Sequence, residues 1–223
     1  MEEPRIVGGS VALDLVNTVA PRPATAEATD WLDSPSALLH WACRVGLISE
    51  AEAEGVSSAW AAEPASAVTA WHSAVDIREA LYAVLSAALG ASQPADGAVA
   101  ELERLALRWS AATARSSLRL GGPGEPPAVL TDGAGALLIP DRLAHAAVEF
   151  TRTADLSQLR ACPVAEGGCG WLFLDRSRNH SRRWCAMEDC GTQAKSRRLT
   201  TRRRTDRTRA AVPHRVRTTG VGN

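Results

Sequence analysis

Four of the five cysteines fall within one short stretch of the chain, at positions 162, 169, 185 and 190. Their spacing, C-x6-C-x15-C-x4-C, resembles that of tetrahedral zinc sites in which each of two cysteine pairs supplies two thiolates from a tight turn. Because four protein ligands leave no open coordination position, such a metal is structural and not catalytic. The pattern therefore predicts one structural zinc ion per chain, bound by Cys162, Cys169, Cys185 and Cys190.

The alternatives for these cysteines are disulfide pairs and separate buried thiols. The first ten residues, MEEPRIVGGS, are acidic and lack the apolar segment of a signal peptide, which favours a reducing, cytoplasmic compartment. Zinc is therefore favoured over disulfides. Cys43 lies in the apolar stretch LLHWACRVGLI and is expected in a helical core. His180 is a conceivable alternative ligand, but four thiolates leave it as a loop residue.

The residues between the cysteines predict a small treble-clef-like finger. Gly167 and Gly168 let the backbone fold back so that both sulfurs of the first pair face one point. After them we expect three elements in order: a strand over Trp171–Leu174, a returning strand over Arg182–Cys185, and a helix that starts at Cys190 and runs through Lys195 and the arginines that follow. Few apolar side chains are available here, so metal binding, about 10–16 kcal/mol for structural zinc, would supply the missing stability.

Two known families resemble this sequence. The run C-x6-CGWLFLD-x-SRN-x-SRRWC-x-M-x-x-CG, within Cys162–Arg198, resembles the CGNR zinc finger. The LDLVNT run at 13–18 and the LLHW…GLI segment at 38–48 resemble the ABATE domain usually found with that finger. The resemblance implies a bacterial, stress-related transcription regulator with a zinc-stabilised DNA-binding module.

The chain departs from the finger family at the tetrad that gives the family its name. Thr192 and Gln193 follow Cys190-Gly191 where Asn and Arg are usual. The ligand and the glycine remain, so the metal site is expected to remain as well. Gln193 lacks the charge and the two-pronged donor geometry of arginine, so a phosphate contact from this position is not expected.

The formal net charge of zero conceals a strong asymmetry between the two parts of the chain. Residues up to Arg160 carry 11 arginines against 20 carboxylates, a net charge of −9, and residues from Cys162 onward carry 14 basic against 5 acidic residues, a net charge of +9. A basic segment of this kind indicates a polyanionic partner. DNA is the leading hypothesis, and the alternative is a structural zinc module that binds RNA or a protein.

The predicted hairpin and helix carry the basic side chains expected to contact nucleic acid. These are Arg176, Arg178, Arg182, Arg183, Lys195, Arg197, Arg198 and Arg202. Beyond them, residues 206–223 are expected to be a disordered tail, because they are polar and lack an apolar face.

The first 19 residues contain an apolar segment, Ile6–Val19, with polar side chains inside it. Asp14 and Asn17 are spaced to share one face of a helix, and buried polar groups must be hydrogen-bonded to the protein or to a ligand. Two interpretations stay open: a structural network that fixes the amino-terminal segment, or a pocket for a small-molecule effector.

The rest of the amino-terminal part shows helical periodicity, with one change of period. Ser34-Pro35 and Ser49 are helix starts, and apolar stripes predict longer helices over 66–89 and 99–113. Short apolar runs within 117–139 predict a small antiparallel β meander, and Pro140 begins another helix. The predicted fold is mainly α with this meander, as an ABATE-like domain over residues 1–157, followed by the finger over 158–205.

Two function classes receive no support from the sequence. It contains no G-x-S-x-G, H-E-x-x-H or deaminase zinc motif, so the protein is not expected to be an enzyme. It also contains no apolar run long enough to cross a bilayer, so no membrane partner is expected.

Overall fold

The structure is a computed structural model that describes residues 3–90, 95–124, 128–132, 135–197 and 199–200. The helices that precede the cysteine-rich segment are α1 (Val11–Val16), α2 (Pro35–Arg44), α3 (Glu50–Ala62), α4 (Pro64–Ala88), α5 (Ala95–Arg115) and α6 (Leu138–Thr153). In the described ranges, no helix combines the length and the apolar character that crossing a membrane requires.

Short antiparallel strands complete the fold as three two-stranded sheets. The pairs are β1 (Val19–Ala20) with β2 (Thr29–Asp30), β3 (Ser116–Leu120) with β4 (Ala128–Asp132), and β5 (Leu159–Ala161) with β6 (Leu172–Leu174). The predicted fold class, mainly α with small antiparallel β elements and a four-cysteine finger, is confirmed.

The predicted helix starts owe their positions to side-chain caps. The Ser34 hydroxyl accepts a hydrogen bond from the amide of Ala37 ahead of α2, and Pro35 occupies the first helical turn. Ser49 and Glu52 form a capping box at the start of α3, where each side chain bonds the other residue's backbone amide.

Helices α4, α5 and α6 form the frame of the fold, and α1 packs against α4 and α6. Leu81 and Leu85 of α4 and Leu143 of α6 are at most 1% exposed, and so is Leu105 of α5. This core extends past residue 157, because Leu159, Leu172 and Leu174 of the β5–β6 hairpin belong to the same apolar cluster. The β5–β6 hairpin thus packs into the helical core and connects it to the cysteine-rich segment.

The predicted β meander is corrected in one respect. β3 and β4 form a hairpin, but the third predicted strand, Ala136–Ile139, does not exist, because α6 already begins at Leu138. Leu138, Leu143 and Ala147 are buried at helical spacing, so this apolar run is the first turn of the helix's core face.

A buried arginine connects the loop after β1 to the longest helix. The Arg22 side chain is 1% exposed and its guanidinium binds both carboxylate oxygens of Glu79 in α4. Its Nε donates to the carbonyl of Val16 at 3.2 Å, and the guanidinium lies 4.6 Å from the ring centre of Tyr82. Burial raises the pKa of the Glu79 carboxyl, but the hydrogen bonds and positive charges of Arg22 and Arg78 together outweigh it, so the pKa lies below its ordinary value.

A second arginine extends this network to the sheet. Arg78 is 3% exposed, binds both oxygens of Asp30 in β2 at 2.7 Å, and donates to the Thr18 hydroxyl and to Glu79. Because each guanidinium is paired with carboxylates, the two charges are compensated inside a largely apolar core.

We predict that Glu79→Gln lowers the free energy of unfolding by about 2 kcal/mol, since it leaves the buried Arg22 without a charge partner. The figure is below the ~3–5 kcal/mol of fully buried pairs because the Glu79 side chain is 47% exposed. Urea unfolding measures the change. Glu101→Gln, which removes the surface partner of Arg104, is the matched control and should cost less than about 0.5 kcal/mol.

The same pair predicts a pH dependence. Because the pKa of Glu79 is lowered by folding, its contribution is complete above the ordinary glutamate value of about 4.3 and is lost as the pH falls through the folded-state pKa. The stability difference between the wild type and Glu79→Gln should therefore shrink between about pH 5 and pH 3. A difference that stays constant or grows toward acid pH would show that the ion pair contributes nothing.

Candidate metal centre

The first cysteine pair sits on a turn that closes the β5–β6 hairpin. The amide of Cys162 donates to the carbonyl of Trp171 at 2.8 Å, and the amide of Gly170 donates back to Cys162 at 3.1 Å. Between them, Gly167 adopts a left-handed conformation with φ of 90° and lets the chain return toward Cys169. The two sulfurs are thus delivered to one point, as the glycines in the sequence predicted.

The second pair lies on a π-helical turn, Met187–Gly191, that leads into α7 (residues 192–197). The amide of Gly191 donates to Ala186 at 3.2 Å, and the Thr192 hydroxyl donates to the carbonyl of Met187 at 3.1 Å. Thr192, where the finger family usually has Asn, therefore still fixes the turn that carries Cys190. The predicted helix is confirmed over residues 192–197, and its predicted continuation past residue 200 lies outside the described residues.

The predicted returning strand, Arg182–Cys185, is wrong. The strand at Leu172–Leu174 pairs with β5, which lies upstream, and the loop that follows is organised around the buried carboxylate of Asp175. That carboxylate accepts hydrogen bonds from the amide and hydroxyl of Ser177 and from the amide of Arg182 at 2.9 Å. The backbone donor at Arg182 is satisfied by a side chain, so no strand partner is required.

The four sulfur atoms converge on one point. They lie within 4.8 Å of one another, with Cys169 and Cys185 at 3.4 Å and Cys185 and Cys190 at 3.7 Å. Tetrahedral zinc with Zn–S bonds of about 2.3 Å requires sulfur separations of about 3.8 Å, so the donor set fits one zinc ion. The predicted four-cysteine zinc site is confirmed in its geometry. Cys43 packs against the helical core instead, and the His180 imidazole contacts the Asp175 carbonyl at 3.1 Å.

The electrostatics of the cluster favour a cation at its centre. Hydrogen bonds from the neighbouring thiols, chiefly Cys169, lower the pKa of Cys162, because one thiolate is stabilised by the S–H groups around it. The interaction with Cys162 is also the main cause that raises the pKa of Cys185, because the Cys162 thiolate disfavours a second negative charge beside it. A divalent cation removes this conflict and allows all four sulfurs to ionise.

A small apolar cluster surrounds the thiols. Phe173, Trp171, Trp184 and Ala194 are buried together with three of the four cysteines. Thiolates in such surroundings are shielded from water, which suits a permanent structural metal and not an exchangeable one.

Arg182, predicted as a nucleic-acid contact, belongs to the scaffold of this site. Its guanidinium lies 4.5 Å from the ring centre of Phe173 and donates to the carbonyls of Trp184, at 3.1 Å, and Cys185. A weaker contact of 3.4 Å reaches the carbonyl of Val7. Cys185 is a metal ligand and Trp184 precedes it directly, so the Arg182 side chain helps to position the second cysteine pair.

The other predicted basic contacts have different surroundings. Arg176, Arg178 and Lys195 are exposed, and the Arg197 guanidinium lies over Gly167. Arg183 is exposed as well but pairs with Glu166. Two further predicted residues, Arg198 and Arg202, lie outside the residues whose side chains the structure describes.

The metal centre is fastened to the amino-terminal domain by backbone and side-chain hydrogen bonds. The Asn17 side-chain amide donates to the carbonyl of Leu172 at 2.8 Å, and its oxygen accepts from the amide of the same residue at 2.9 Å. The Trp171 indole donates to Val19 at 2.8 Å, and the Arg22 amide donates to the carbonyl of Cys169 at 2.7 Å. Asn17 therefore acts as an additional partner for the edge of β6.

Asp14 plays a comparable role one helical turn earlier. Its carboxylate accepts hydrogen bonds from the amides of Val7, at 3.0 Å, and Gly8, at 2.8 Å. Burial raises the pKa of Asp14, and these two amides oppose the shift. The contacts of Asp14 and Asn17 support the structural-network interpretation of the two side chains over the pocket interpretation.

Two residues that support the metal centre, Arg5 and Arg22, were not predicted from the sequence. Arg5 pairs with Asp189 at 2.9 Å and with Glu188 at 3.6 Å, on the turn that carries Cys190. Arg22 was missed too, although its position between two prolines, Pro21 and Pro23, marks a fixed loop. No local pattern indicates either contact, because both join segments far apart in sequence.

The fold and the site define a zinc-finger protein whose finger is built onto a helical domain. Residues 9–154 match the ABATE family, described as "Putative stress-induced transcription regulator", and residues 158–203 match the CGNR zinc finger. The chain belongs to the ABATE family and carries the finger that the sequence motif indicated. A comparison with curated proteins found no match.

We predict that the purified protein contains one zinc ion per chain and that Cys169→Ser and Cys185→Ser each lose it. A serine hydroxyl is a poor ligand for zinc compared with a thiolate, and three remaining sulfurs leave the site incomplete. Elemental analysis by mass spectrometry measures the metal content. Cys43→Ser is the matched control and should keep its zinc; full metal content in both ligand variants would refute the assignment.

We also predict that Gly170→Ala destabilises the protein by more than about 2 kcal/mol and speeds zinc loss to a chelator. Gly170 has φ of 78°, and an added Cβ would overlap the carbonyl of Arg22, whose amide holds Cys169. Gly55→Ala, in the open middle of α3, is the control and should stabilise the protein by about 0.5–1 kcal/mol. Equal behaviour of the two variants would contradict the close contact.

Proposed function

We propose that this protein is a DNA-binding transcription regulator whose zinc ion is structural. The carrying observation is the convergence of four thiols in a segment whose basic side chains Arg176, Arg178, Lys195 and Arg197 are exposed. Membership of the ABATE family, described as a transcription regulator, supports the same function. The metal keeps the finger in shape, and the arginines and lysine bind the phosphate backbone.

The side chains best placed for phosphate contacts are the exposed ones that, unlike Arg182, do not hold the backbone around the metal ligands. These are Arg176, Arg178, Lys195 and Arg197, and Arg183 joins them when DNA competes with Glu166. Arg198 and Arg202 continue the same basic sequence. Arg182 is not among the contacts, because its donors are used by the carbonyls around Cys185.

Charge balance near the second cysteine pair supports this arrangement. Glu188 and Asp189 would repel DNA at the start of α7, but Arg5 pairs with both. The amino-terminal segment therefore offsets the acidic side chains nearest to the basic helix. We propose no catalytic role for the metal, since four thiolates leave no open position for substrate or water.

The salt dependence of DNA binding by the full zinc-loaded chain tests the proposal. If about five phosphates are neutralised, the logarithm of the affinity should fall against the logarithm of the salt concentration with a slope near −4 to −5. The double variant Arg176→Gln/Arg178→Gln should reduce the magnitude of the slope by about 2. Fluorescence anisotropy with a labelled duplex measures both.

The matched control is Arg104→Gln/Arg152→Gln, which removes the same charge from exposed positions of the amino-terminal domain. It should leave the slope unchanged. Absence of binding in dilute buffer would overturn the proposal. Binding to RNA and not to DNA would overturn it in favour of an RNA-directed zinc module.

A further inference from the structure

A cavity of about 400 Å³ opens beside the start of α2. Trp31 and Trp41 contribute aromatic walls, and Ser34 lies at its edge. His40 and Arg44, one helical turn apart on α2, supply two basic side chains. Apolar walls with a few convergent polar groups are typical of small-molecule sites of this size.

The two basic side chains are bridged by a carboxylate of the protein itself. One oxygen of Glu3 lies 2.9 Å from the His40 imidazole, and the other lies 2.9 Å from Nε of Arg44. Arg44 also donates to the carbonyl of Pro4 at 2.6 Å. The Glu3 side chain is 49% exposed and lines the cavity together with His40 and Arg44.

This arrangement specifies the chemistry of an occupant. One Glu3 oxygen faces the Arg44 guanidinium and the other faces the His40 imidazole, so the two basic side chains together already hold one carboxylate. Trp31 and Trp41 line the same cavity, Trp41 as a wall that is only 4% exposed, and aromatic side chains of this kind pack favourably against a flat ring. A molecule with both a carboxylate and a flat ring would satisfy the two parts at once.

We propose that this cavity binds a small aromatic carboxylate, which displaces Glu3 from His40 and Arg44 and packs its ring against Trp31 and Trp41. The site goes beyond the proposed regulatory function and does not depend on it, because binding is measured on the protein alone. Glu3 acts as a built-in competitor of the ligand.

Two contacts connect the residues around the cavity to the metal centre. Trp31 meets Trp171 of the finger edge to face, with ring centres 5.9 Å apart. Two residues after Glu3, Arg5 pairs with Asp189 on the turn that carries Cys190. An occupant that displaces Glu3 therefore acts on a segment that also contacts the finger.

Isothermal titration calorimetry of the full zinc-loaded chain tests the site, with 1-naphthoate as the probe and neutral 1-naphthamide as its uncharged counterpart. We expect naphthoate to bind and the amide to bind at least about tenfold more weakly. Glu3→Gln should tighten naphthoate binding by about tenfold because the competing carboxylate is gone, and Arg44→Gln should weaken it by a similar factor. Circular dichroism verifies that both variants remain folded.

His72→Gln is the control, since that imidazole lies against Trp71 and does not line the cavity. It should leave the affinity unchanged. Equal binding of acid and amide, absence of naphthoate binding, or an unchanged affinity in Glu3→Gln would each overturn the proposal. None of these results depends on whether the protein binds DNA.

Discussion

The repulsion among four crowded thiolates is the constraint on which the described part of the finger, from residue 158 onward, depends. Their sulfurs lie within 4.8 Å of one another, so a second and third negative charge are opposed unless a cation lies among them. Zinc satisfies that requirement, and the turns around Gly167 and Gly191 bring the sulfurs to the right separation.

The finger is also part of the core of the helical domain. Leu159 and Leu172 lie in the apolar cluster formed by α1, α4 and α6, and Asn17 closes the edge of the hairpin with two hydrogen bonds. Arg22 connects the carbonyl of Cys169 to Glu79 of α4 through its own backbone and side chain. Metal binding and helix packing are therefore coupled through short, direct contacts.

Local sequence information was sufficient for the metal ligands and for the helix caps, because both depend on residues close together in the chain. The spacing of the cysteines and the Ser34-Pro35 start could be read directly. The returning strand over Arg182–Cys185 could not, because the side chain of Asp175 binds the amide that a strand would have used. Arg182 looked like a surface charge, because the sequence does not show that the loop folds the carbonyls of Trp184 and Cys185 back onto its guanidinium.

The coupling of metal and core is tested most directly by thermal unfolding of the full chain, followed by far-ultraviolet circular dichroism before and after zinc is removed with a chelator. Helices α1–α6 dominate that signal, although the cysteines of the metal site lie outside them. If the finger stabilises the helical core as described, metal removal should lower the midpoint of the helical transition by about 10 °C. An unchanged midpoint in the metal-free protein would show that the finger and the helical domain are energetically independent.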